Sequence, residues 1–162
     1  MANTSVTSFG RLSAVLTGFP LERVAPALDP IGLPAQFLAW VTDRMGQPAV
    51  QQLLAVYDGI DQQTGGNLAQ QGPPVQAKIL ADATLGPLAR RIMRLWYLGT
   101  WYDTEPPAGP FPTGQVVSMN AYTGGLAWDA MQAHPMGYSE MHYGYWSDVP
   151  APVQTLTTTP GA

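Results

Sequence analysis

The stretch 90–103, RRIMRLWYLGTWYD, constrains the fold more than any other, because it places Trp96, Tyr97, Trp101 and Tyr102 within seven residues. Aromatic density of this kind must be covered. Trp and Tyr rings bury large areas at low entropic cost, and their polar atoms need partners once buried, so the cluster belongs at a core centre or an interface. Leu88, Ile92, Leu95 and Trp96 recur at helical spacing while Arg90, Arg91 and Arg94 fall largely outward, so 87–98 reads as the strongest helix, ended by Gly99. Trp101 and Tyr102 follow outside that helix. The spacing therefore assigns Leu95 and Trp96 to the core and Trp101-Tyr102 to a surface that meets a partner.

Earlier segments supply further helices. Over 7–18, Thr7 or Ser8 is placed to cap and Phe9, Leu12, Val15 and Leu16 share a face up to Gly18. Asp29-Pro30 resembles an N-cap followed by proline, with Leu33, Phe37, Trp40, Val41 and Met45 inward until Gly46. A third helix is expected from Pro48 to near Gly59 on Val50, Leu53, Leu54 and Tyr57. The Gln-, Gly- and Pro-rich run 61–74 reads as an exposed loop, and 75–83 as two helical turns. Four prolines in 104–114 forbid a helix there and predict a surface link. A short extended piece at 116–119 then enters a helix over 120–131, weakened by Gly124-Gly125. The run 134–152 is aromatic and punctuated by Pro and Gly, and about 153–162 is expected to be a mobile tail.

These elements define a mainly α, single compact helical domain over 1–162, with an irregular Pro/Gly/aromatic-rich C-terminal segment. Its 46% hydrophobic content suffices for one core. Charged residues are only 11%, against roughly a quarter in ordinary soluble domains. A surface so poor in charge is most simply explained by contact with another protein. A net charge of −4, with one lysine, leaves no basic footprint for nucleic acid. No apolar run approaches the roughly 18–20 residues of a membrane span. Cysteine is absent, which excludes disulfides and thiolate chemistry. The start, MANTSVTSFG, lacks the basic and apolar regions of a signal peptide.

Catalytic patterns are weak. His134, Glu140 and His142 approximate a metal cluster and define the alternative reading, a small metal- or ligand-binding protein or enzyme. Their order matches neither the helical H-E-x-x-H spacing nor a cysteine-containing zinc set. The string Gly137-Tyr138-Ser139 lacks the second glycine of a nucleophile elbow, and the chain contains no G-x-G-x-x-G run. Aromatics outside the expected helices are the stronger signal. With His134 and His142, the candidate partner-binding residues are Trp101, Tyr102, Phe111, Tyr138, Tyr143, Tyr145 and Trp146. Self-assembly through the same surface is a third reading.

Four ordered pieces resemble the small, or gamma, subunits of bacterial FAD-dependent sugar and polyol dehydrogenase complexes: FGRLSAVLTG at 9–18, LWYLG at 95–99, the stretch 116–131, and GYWSDVP at 144–150. Together they span most of the chain. The resemblance implies a helical, non-catalytic subunit with no cofactor of its own. It would be bound to a large flavoprotein of the glucose-methanol-choline type that holds FAD, with a cytochrome c subunit commonly taking the electrons. It further implies assistance in the partner's folding and export to the periplasm, typically through a twin-arginine leader; without a leader in the precursor the expected location is cytoplasmic. Three departures stand out. These residues include no leader, the link 100–115 is longer and richer in proline than the family's, and His134-Pro135-Met136 stand where many members carry a cysteine.

Overall fold

The computed structural model describes residues 2–104, 107, 109 and 113–138. It is mainly α-helical, as the periodicity predicts. Helix α1 (Ala2–Thr17) runs into α2 (Leu21–Val24), α3 (Leu33–Met45) and α4 (Gln47–Gln63). After a 3₁₀ turn at Leu68–Gln70, α5 (Gly72–Val75) continues into a π-helical turn at Gln76–Leu80, and α6 (Leu85–Leu98) follows. Strands β1 (Thr100–Trp101) and β2 (Gln115–Val116) pair antiparallel, Thr100 opposite Val116 and Trp101 opposite Gln115. Helices α7 (Met119–Thr123) and α8 (Leu126–Met131) complete the described chain. None of the described helices is long and apolar enough to cross a membrane.

Helix α1 contacts α3, α4 and α6, and the core forms where these four long helices meet. Phe9, Leu12, Phe37, Val41, Leu53, Tyr57, Ile60, Ile92, Leu95 and Trp96 are all essentially fully buried. Phe37 meets Trp96 edge to face, with ring centroids 4.7 Å apart, an arrangement the ring quadrupoles favour. Trp96 Nε1 has no hydrogen-bond partner among the described residues, so the indole is held by packing alone.

Element boundaries depart from the local signals where burial outweighs them. Helix α1 begins before Thr7, because its N-terminal turns lie along α3 and α4 and need no cap at Thr7 or Ser8. Helix α3 starts after Gly32, a left-handed residue at φ 71°, rather than at Pro30. Asp29 accepts from the Gly32 N–H at 2.6 Å, closing a turn that precedes the helix. Helix α4 runs through Gly59, since Ile60 extends the stripe of Val50, Leu53 and Tyr57 and is fully buried.

The expected loop 61–74 is corrected most. Residues 61–63 still belong to α4, and Gln71 is fully buried. The Gln71 amide donates to Asp61 Oδ1 at 2.6 Å and Thr64 Oγ1 at 3.1 Å, while its carbonyl accepts from the Tyr57 hydroxyl at 2.8 Å. Arg11 closes the network, with Nη2 2.7 Å from Asp61 Oδ1 and 2.7 Å from the Gly66 carbonyl. Burial pushes the Tyr57 phenol up to about 12, helped by the Asp61 charge and opposed by Arg11. Burial would raise the Asp61 carboxyl, but hydrogen bonds from Arg11 and Gln71 and the charge of Arg11 hold it below its ordinary value.

Candidate partner-binding surface

Gly99 directs the chain from the core to this surface. At φ 62° it ends α6, its N–H donating to the Leu95 carbonyl at 2.8 Å. Its carbonyl accepts from the Val117 N–H at 3.0 Å, and a Cβ here would collide with the Ala121 carbonyl. The β-ribbon therefore folds back over α6, and α7 lies directly against its end. Ser118 caps α7, accepting from the Ala121 N–H at 3.0 Å, and its hydroxyl donates to Gln36 Oε1 of α3 at 2.7 Å. The Gly124-Gly125 pair breaks the expected helix 120–131 into α7 and α8. Trp128 Nε1 then donates back to the Tyr122 carbonyl at 2.8 Å, across rings 5.5 Å apart.

Arg23 of α2 ties α8 down. Its Nε donates to Asp129 Oδ2 at 2.6 Å and its Nη2 to the Gly124 carbonyl at 3.2 Å. The pair is about two-fifths exposed, so its energetic worth is at most about 1 kcal/mol. Short helices bury little. From α7 only Ala121 is buried and from α8 only Leu126, which leaves Met119 62% and Met131 61% exposed.

Leu98, Val116, Met136 and Tyr138 are exposed along the same stretch, and Leu28 and Ile31 are exposed on the turn that leads into α3. These eight are all the large exposed apolar side chains among the described residues, and none comes from α1, α4 or α5. Gly124 sits against Leu33 at the start of α3, which brings the break between α7 and α8 next to the helix that the 28–31 turn leads into. Leu98, Val116, Leu28, Ile31 and the methionines are absent from the aromatic candidates read from sequence. The signal for them is element length, since helices of five or six residues can turn only one face inward.

The sequence-derived candidates divide. Trp101 corrects the assignment of residues 101–102 to the surface. It is 2% exposed, beneath the Arg91 guanidinium at 5.8 Å, with Nε1 donating to Asp103 Oδ1 at 3.1 Å. The ribbon, which periodicity does not reveal, supplies the cover. Tyr102 is half-buried, and Tyr138 is 46% exposed with its N–H donating to the Pro135 carbonyl at 2.9 Å. His134 is half-buried, its Nδ1 3.1 Å from the Pro135 carbonyl. Phe111, Glu140, His142, Tyr143, Tyr145, Trp146 and the 153–162 tail lie outside the described residues.

Among the described residues no three His, Cys, Asp or Glu side chains gather as metal ligands would. An open groove of about 560 Å³ lies between α1, α3 and α4, lined by Val6, Leu38, Val50 and Leu54 and by Thr42, Asp43, Gln47 and Gln51. The exposed apolar side chains offer thioethers, aliphatic carbon and one phenol. That chemistry suits contact with another protein surface. Comparison with protein-family models, with curated proteins and with solved structures finds no match.

Proposed function

We propose that this chain is a non-catalytic accessory subunit. It binds and stabilises a large periplasmic FAD-dependent sugar or polyol dehydrogenase of the glucose-methanol-choline type, and assists the folding or export of that partner. The observation that carries this reading is that all the large exposed apolar side chains among the described residues fall in two stretches, 28–31 and 98–138, in a chain with only 11% charged residues. The four ordered motifs supply the identity of the partner class. In this reading FAD and the oxidation chemistry belong to the flavoprotein, and electrons pass from it to a cytochrome c subunit.

Co-expression with a candidate flavoprotein, followed by size exclusion, tests the reading. Co-elution and a higher yield of soluble partner are expected. A chain that stays monomeric and leaves the partner's yield unchanged would sink it.

A further inference from the structure

Five methionines lie among the described residues, and they fall into two chemical groups. Met45, the last residue of α3, is half-buried, and its Sδ accepts from Arg91 Nη1 at 3.0 Å. Met93 of α6 packs half-buried against the core. Met119, Met131 and Met136 are 62%, 61% and 78% exposed. A thioether is oxidised through its sulfur lone pair, so access to that lone pair sets the rate. At Met45 it is engaged by a guanidinium, and Met93 is half-buried against the core.

We propose that Met119, Met131 and Met136 form an oxidisable modification site for hydrogen peroxide on the free subunit, and that their oxidation bars assembly with the partner. At each residue the sulfur lone pair attacks one peroxide oxygen. The O–O bond breaks as the S–O bond forms, and the departing hydroxide takes the proton from the transferred oxygen and leaves as water. Sulfur loses two electrons and peroxide gains them, so no further reactant is required. The product is a polar sulfoxide in place of an apolar thioether, reversible by sulfoxide reductases. Met119 opens α7 and Met131 closes α8, and both side chains project into water, so the fold tolerates the added oxygen. Three of the eight large exposed apolar groups among the described residues become polar together. The effect on assembly rests on the accessory-subunit reading; the site itself does not.

Brief treatment of the purified chain with hydrogen peroxide, followed by peptide mass mapping, tests the site. Met119, Met131 and Met136 are expected to gain one oxygen on the order of tenfold faster than Met45 and Met93, with the helical circular dichroism unchanged. Equal rates at Met45 or Met93, or loss of helix as the three react, would overturn it. Oxidised chain should then fail to co-elute with the flavoprotein, sulfoxide reductase should restore co-elution, and assembled complex should resist oxidation. The combined Met119→Leu, Met131→Leu and Met136→Leu variant keeps apolar bulk, so it should assemble after peroxide treatment. Selective oxidation with undiminished co-elution would refute the block on assembly. Failure of untreated chain to co-elute would remove that block along with the accessory-subunit reading, while the oxidation map is still decided on the free chain.

Discussion

The helical block α1–α6 and the segment from Leu98 to Tyr138 solve the problem of covering apolar surface in opposite ways. Helices α1, α3, α4 and α6 have 13 to 17 residues each, enough for a continuous inward stripe. Even their buried polar groups answer one another, as Gln71 does with Tyr57, Asp61 and Thr64. In the later segment α7 and α8 have five and six residues and the strands two each. The two helices and β1 bury one side chain each, and β2 buries none. Length of element, more than composition, separates a face that closes on itself from one left open to solvent.

Trp101 sits on the boundary between the two regions, and replacing it has the largest expected effect. Trp101→Ala removes an indole that is 2% exposed, which typically costs about 3–5 kcal/mol. Urea denaturation of the isolated chain measures this. A loss below about 1 kcal/mol, with partner binding abolished, would return Trp101 to the surface and erase the boundary between the two regions.

Gly99→Ala probes the joint itself. A non-glycine residue at φ 62° costs about 1–3 kcal/mol, and the new methyl also displaces the Ala121 carbonyl. Hydrogen exchange should therefore rise first in 115–131, with α1, α4 and α6 still protected. Uniform loss of protection would mean that the two regions unfold as one.

The same contrast explains what could be read from sequence. Helix α6 was legible because its amphipathic stripe and its glycine stop agree. Gly59 misled, because a glycine signals a helix end locally while burial of Ile60, the next residue, carries α4 onward. Gln71 was invisible: a glutamine in a polar run has no periodicity, and only the Tyr57 and Asp61 side chains brought to it in space make burial affordable. Trp101 was misplaced for a related reason, since two-residue strands leave no pattern. The short helices at 119–131 were recognisable as one weakened helix, but their outward methionines follow only from the break at Gly124-Gly125.

A smaller effect is expected at the polar network inside the helical block. Tyr57 titrates near 12 in the folded chain, against about 10 unfolded, so folding favours the neutral phenol. The resulting stability is fully present below about pH 10 and declines as pH rises through 12, by on the order of 2–3 kcal/mol in all. Denaturation midpoints across the alkaline range measure the decline, and Tyr57→Phe should flatten it. An unchanged alkaline slope in that variant would show that the phenol is solvated and the network open.

The smallest effect on the fold is expected at Tyr138, and it separates the two regions most cleanly. The side chain is 46% exposed, and the backbone N–H of the residue donates to the Pro135 carbonyl, a bond that substitution retains. Tyr138→Ala should shift stability of the free chain by no more than about 0.5 kcal/mol. An exposed tyrosine that meets a partner commonly contributes more than about 1 kcal/mol to binding, so affinity for the flavoprotein should fall measurably in titration calorimetry. Together with Trp101→Ala this forms a crossed pair, one variant acting on the fold and the other on association. If Tyr138→Ala instead destabilises the free chain as Trp101→Ala does, the later segment is a continuation of the core, and the exposed apolar surface must be redrawn without it.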